Sequence, residues 1–244
     1  MQLTFIGSGN AFGSGGRFNT CFLLTGRDCR LLVDCGATSL VALKHHGVAP
    51  NDIDGVVISH LHGDHFGGLP FFLLDARHMS KRRRPFFIWG PAGLETRLAA
   101  AQEVLFPGSS LAPHAFPYEF TELAAGRRNA GPGFAVTPYP AAHSAGAPCF
   151  SLRVEMDGKI VTYSGDTAWT DALATAAAGA DLLICECSSY DQPLSGHLDY
   201  ARLQPLLAGI AAKRIILTHM NPDMLERRST LAHETANDGL TIAL

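Results

Sequence analysis

The stretch His60-Leu61-His62-Gly63-Asp64-His65 places three imidazoles and a carboxylate within six consecutive positions, a donor set suited to metal binding. Neutral imidazoles and a carboxylate are costly to bury together without a cation. Residues two apart on an extended chain point the same way, so His60 and His62 can share one ion. Beyond the turn at Gly63, Asp64 and His65 can face a second. Two ions demand more ligands, and three candidates follow strand-like runs: His143 in Tyr139-Pro140-Ala141-Ala142-His143, Asp166 in Tyr163-Ser164-Gly165-Asp166, and His219 in Ile215-Ile216-Leu217-Thr218-His219. Two divalent ions roughly 3.5–4 Å apart activate a bridging water and brace the oxygens of an in-line displacement. Phosphoester, thioester, lactone and lactam hydrolysis all fit such a site. Zinc, manganese and iron all suit His and carboxylate donors.

These residues need strand ends to bring them together. Strand-like runs occur early at Leu3–Ile6, Cys21–Leu24, Arg30–Val33 and Val56–Ser59. They recur late at Phe134–Pro138, Phe150–Glu155, Lys159–Ser164, Leu182–Cys185 and Arg214–Thr218. The Asp157-Gly158 pair between two alternating runs predicts a tight β-hairpin. Helical patterns cover Ser39–His46, Gly68–Met79, Gly93–Leu105, Trp169–Ala178 and Leu198–Ala212. Strands grouped in two halves, each flanked by helices, predict an α/β (α+β) architecture: an αββα sandwich of two mixed β-sheets, with residues 1–244 as one domain. Residues 106–133 are the least regular part.

With 244 residues, 47% hydrophobic and 17% charged, the chain can bury a sizeable core. A net charge of -3 argues against whole-surface attraction to nucleic acid. Neither a signal peptide nor a membrane span is legible. The six cysteines lie mostly in apolar strand-like runs with no CxxC pair, as reduced core residues of a cytoplasmic protein do.

The motifs around Asp34, His60 to His65, His143, Asp166 and His219 together resemble those of the metallo-β-lactamase superfamily, over nearly the whole chain. The resemblance implies that one metal takes His60, His62 and His143, that the other takes Asp64, His65 and His219, and that Asp166 bridges them. Asp64 then counts as a catalytic group as well as a ligand, and Asp34 orients ligands from behind. True β-lactamases of the superfamily lack the bridging aspartate. Flavodiiron relatives carry a glutamate in place of His62.

Glu186 in Ile184-Cys185-Glu186-Cys187 and the segment Ser195-Gly196-His197-Leu198-Asp199 resemble the ribonuclease Z and phosphodiesterase branch. There His197 stabilises the transition state or protonates the leaving oxygen, and Glu186 orients it. The segment between Leu105 and Phe134 is too short and too little basic for the tRNA-gripping arm of ribonuclease Z. The expected substrate is therefore a small or medium phosphodiester, cyclic ones included. A thioesterase, lactonase or glyoxalase-II-like activity is the alternative, with tRNA 3′-end processing behind it. Lys81-Arg82-Arg83-Arg84 reads as a solvated loop or a phosphate contact. The glycine-rich Gly7–Gly16 loop should line the site, whereas His78 and His114 read as surface residues. A homodimer would use the apolar Gly68–Leu74 helix.

Overall fold

The computed structural model describes residues 1–110 and 116–244, so His114 lies outside the described residues. Two seven-stranded sheets face one another. The first comprises β1 (Gln2–Gly7), β2 (Cys21–Thr25), β3 (Arg30–Val33), β4 (Gly55–Val57), β5 (Phe86–Gly90) and β6 (Tyr118–Glu122). The second comprises β7 (Asn129–Gly131), β8 (Phe134–Pro140), β9 (Phe150–Met156), β10 (Lys159–Tyr163), β11 (Leu182–Glu186), β12 (Ile215–Thr218) and β13 (Glu234–Thr235). The chain then returns to the first sheet as β14 (Thr241–Ala243), antiparallel to β1. Each sheet is mixed: β14-β1-β2-β3 and β7-β8-β9-β10 run antiparallel, while β3-β4-β5-β6 and β10-β11-β12-β13 run parallel.

Alternation along the strands sets the layers. Phe22 and Leu24 of β2 meet Leu182 and Ile184 of β11 in the cluster between the sheets. Their neighbours Cys21 and Leu23 turn outward beneath α1 (Ser39–His45), α3 (Leu69–His78) and α4 (Leu94–Leu105), which follow and flank the short α2 (Gly63–Phe66). On the far face, Leu183 and Cys185 pack under α5 (Asp171–Ala177), α6 (Tyr200–Leu207) and α7 (Pro222–Arg227). The result is the expected αββα sandwich. All six cysteines are buried and none is disulfide-bonded. Among the described residues, no helix is long and apolar enough to cross a membrane.

The Asp157-Gly158 hairpin forms as predicted, with Met156 opposite Lys159 and positive φ at both turn residues (53° and 75°). Strands β5, β6, β7, β13 and β14 were not legible in the sequence. The helix expected over Leu198–Ala212 spans only Tyr200–Leu207, its start set by Asp199, which accepts from the Arg202 N–H at 3.0 Å. Residues 106–133, expected to be irregular, contribute β6 and β7 as sheet edges.

Candidate metal centre

The candidate residues leave the sheets at neighbouring strand ends. His60 follows β4, His143 follows β8, Asp166 follows β10, Glu186 closes β11 and His219 follows β12. One of these exits and that of the neighbouring β3 bend sharply: His219 after β12 and Asp34 after β3 hold φ of 60° and 59°. Left-handed backbone costs a non-glycine residue roughly 1–2 kcal/mol, which the surrounding hydrogen bonds offset. His219 is held by its own N–H and the Thr218 hydroxyl, both donating to the Ser8 carbonyl.

Two donor groups result. Nitrogens of His60, His62 and His143 lie within 4.8 Å of one another, as do donor atoms of Asp64, His65, Asp166 and His219. Asp166 Oδ2 stands between them, 3.8 Å from His60 Nε2, 3.3 Å from His65 Nε2 and 3.5 Å from His219 Nε2. Asp64 Oδ2 is 3.2 Å from both His65 Nε2 and His219 Nε2. His60 Nε2, His65 Nε2 and Asp166 Oδ1 are buried without a hydrogen-bond partner. Orphaned donor atoms at this density fit divalent ions and little else.

Hydrogen bonds hold the outer nitrogens of His60, His65 and His143. Asp34, fully buried, accepts from the Ser59 N–H and the Ser59 hydroxyl, each at 2.7 Å, and from His65 Nδ1–H at 2.7 Å. The Ser59 hydroxyl in turn accepts from His60 Nδ1–H at 3.1 Å. His143 Nδ1–H donates to the Gly196 carbonyl at 2.9 Å, leaving Nε2 aimed at His62 Nδ1, 3.0 Å away. Gly196 must be glycine: its φ is 77°, and a Cβ there would sit 2.7 Å from His143 Nδ1. The rings of His60, His65 and His143 are thus fixed in the tautomer that leaves a lone pair facing inward, whereas His219 Nδ1 is buried without a hydrogen-bond partner.

Burial pushes the His60 imidazole well below its ordinary pKa, so the ring is neutral and able to coordinate. Burial opposes the ionised form of Asp64, yet His65 and His219 hold its carboxyl far below the usual range. Against their own burial, His65 and His219 are pushed up by Asp166 and Asp64. Protons and divalent ions compete for those same lone pairs.

Beside the donor groups, His197 Nδ1–H donates to Glu186 Oε1 at 3.0 Å, and its ring stacks on His219 with centroids 5.8 Å apart. Glu186 is fully buried and also accepts from the Thr167 N–H at 2.8 Å. Burial pushes the Glu186 carboxyl up, opposed by its bond to His197. Burial works against the charged form of His197, but Glu186 raises it above the ordinary imidazole value. The pair lies beside a cleft of about 140 Å³ whose walls include Asn10, Phe12, Asp64, His143, Asp166 and His197. The Gly7–Gly16 loop therefore does line the site, and Phe12, which the sequence reading passed over, stands on its rim.

The Lys81–Arg84 run and His78 are absent from that lining. Arg82 is buried, donating to the carbonyls of Pro50, Arg84 and Pro85 and stacking over Phe86 and Phe116, while Arg84 pairs with Asp54 at 2.6 Å. The run is neither a plain solvated loop nor a contact at the cleft, because backbone carbonyls and aromatic faces draw its second arginine inside. His78 is exposed at the end of α3.

Residues 1–238 match the family described as anti-Pycsar protein Apyc1. An Apyc1 protein of Saccharibacillus brassicae is 30% identical over 72% of this chain and 71% of its own length. Ribonuclease BN of Erwinia tasmaniensis is 26% identical over 91% and 89%. The human tRNase Z short form superimposes with a TM-score of 0.81 at 25% identity, covering 100% of this chain and 99% of that one.

Proposed function

The chain belongs to the Apyc1 family and, with its ribonuclease Z-like fold, to the metallo-β-lactamase superfamily of metal-dependent hydrolases, and on that premise we propose that it is a phosphodiesterase acting on a small or medium phosphodiester, cyclic ones included. In this reading His60, His62 and His143 hold one divalent ion, Asp64, His65 and His219 a second, and Asp166 both. Zinc is the first candidate, with manganese and iron as alternatives. Bound there, the ions supply an activated water and positive charge beside the reacting phosphorus. Asp64 and Asp166 set the spacing of that charge, and Asp34 with Ser59 keeps the rings of His60 and His65 from turning.

The observation that carries the reading is the His197–Glu186 pair. A raised imidazole held by a buried carboxylate, with its other nitrogen free, can donate a proton to an alkoxide as the P–O bond breaks. Thioester hydrolysis gives that pair less to do, since a thiolate needs little protonation, whereas lactone hydrolysis also expels an alkoxide and is separated by the assay below. Cleavage of tRNA 3′ ends is a second reading, favoured by the likeness to the human tRNase Z short form. Against it, the described residues between Leu105 and Phe134 form the edge strands β6 and β7 and no long basic arm.

The test uses His197→Ala with metal content measured alongside. The variant should keep its metals and lose roughly 10²–10⁴-fold in turnover on a diester with an alkoxide leaving group. The loss should shrink for bis-(p-nitrophenyl) phosphate, whose leaving group needs little protonation. Wild-type protein that cleaves a thioester or lactone and neither diester would sink the phosphodiesterase reading. Faster cleavage of a precursor tRNA than of any small diester would favour the tRNA reading.

A further inference from the structure

His219 is anchored differently from His60, His65 and His143, because no hydrogen bond among the described residues grips its outer nitrogen. The direction of its ring therefore depends on its backbone and on the ring of His197 stacked beside it. That backbone holds a φ of 60°, and a residue in the left-handed region stays there only while its surroundings impose it. The Ser8 carbonyl imposes it, accepting from the His219 N–H at 3.2 Å and from the Thr218 hydroxyl at 3.1 Å. On the far side of the ligand, Asn10 of the same glycine-rich loop donates to Asn221 Oδ1 at 2.6 Å.

Ser8 is in turn fixed by a residue far along the chain. Asp238 Oδ1 accepts from the Ser8 N–H and the Ser8 hydroxyl, each at 2.8 Å, and Oδ2 accepts from the Phe18 N–H at 2.8 Å. One carboxylate thus clamps the loop at both ends, with bonds to an ionised acceptor that are roughly twice as strong as neutral ones. Arg17 braces the same corner, donating to Ser8 Oγ at 3.1 Å and to the Ala236 carbonyl at 2.6 Å. Ser8 is fully buried. Without Asp238 its N–H would lose its partner away from water, which is costly. The loop would shift to recover one and take the Ser8 carbonyl with it. Asp238 itself is absent from the cleft lining.

We propose that Asp238 is a positioning residue for the metal centre: through Ser8 it holds His219 in the conformation that turns Nε2 toward Asp64 and Asp166, and it thereby sets the affinity of one of the two ions. The inference rests on the reading in which Asp64, His65 and His219 take an ion of their own. The group of His60, His62 and His143 stands at the ends of β4 and β8 and does not hang on Ser8.

The test titrates metal-free wild type and variants with cobalt(II) by calorimetry, reading the two ions as separate steps. Asp238→Ala should weaken one step roughly 10- to 100-fold, the range for losing a group that orients a metal ligand, and leave the other unchanged. His62→Ala, which removes a ligand from the other group, identifies the steps: it should weaken the step that Asp238→Ala spares, and the double variant should weaken both. Asp238→Asn should bind both ions as wild type does, since its amide oxygen still accepts from Ser8 and only the Phe18 N–H loses its acceptor. A folded Asp238→Ala that loses affinity for both ions alike, or for neither, overturns the role, as does the same selective loss in Asp238→Asn. If Asp238→Ala does not fold, Thr218→Val decides. It keeps the shape of the side chain and deletes only the bond to the Ser8 carbonyl, so it should weaken the step that His62→Ala spares, and unchanged binding in it overturns the proposal. Wild type that takes up fewer than two ions overturns the two-ion reading and this inference with it.

Discussion

At the scale of single residues, the centre depends on one carboxylate more than on any other. Asp166 Oδ2 lies 3.3–3.8 Å from imidazole nitrogens of both donor groups. Replacing it by alanine would leave two cations facing one another with no negative charge between them. Asp166→Ala should therefore lose metal and activity together, read by metal analysis of protein purified without chelator. Both ions retained at full occupancy would show that Asp166 does not bridge. The donor residues were legible because chemistry demands them: four sit in one short motif, and the other three each follow an apolar run. Phe12 carried no such mark. A phenylalanine among glycines and serines has no periodicity, and only its exposure over the cleft distinguishes it. Arg82 misled for the opposite reason, since a charged run gives no sign that one member will be buried under Phe86 and Phe116.

At the scale of elements, the cap of α6 separates a local role from a chemical one. Asp199 lies two residues after His197 and is nearly buried, yet its carboxylate accepts from the Arg202 N–H and serves the helix. Asp199→Ala should cost about 1 kcal/mol in denaturant unfolding, as lost N-caps do, with metal content unchanged. Loss of metal in that variant would mean that the segment from Gly196 to Asp199 positions His143 as a unit. The long strands were legible from alternating or continuous apolar runs. The missed ones failed for identifiable reasons: β7, β13 and β14 have three residues or fewer, too short for a period of two to register. Strand β5 is hidden behind Pro85 and the basic run before it, and β6 exposes much of its surface as a sheet edge.

At the scale of the whole molecule, the donor groups join the two sheets, since β4 leads to His60 and β8, β10 and β12 lead to His143, Asp166 and His219. Ions that bind only the folded arrangement should stabilise it by roughly 2.7 kcal/mol each at a hundredfold excess over Kd. Chelation should then lower Tm by roughly 5–10 °C per ion for a chain of this size, and added zinc should reverse the change. A Tm indifferent to chelator would argue against ions tying the sheets together. The return of the chain as β14 alongside β1 also has a consequence during synthesis. His65 leaves the ribosome 154 residues before His219 (219 − 65), which is roughly 8–30 s at 5–20 residues per second. Through that interval the nascent chain carries part of its donor set and an unpaired β1 edge. The second half of translation therefore sets when this protein can first take up its ions, however quickly its first half folds.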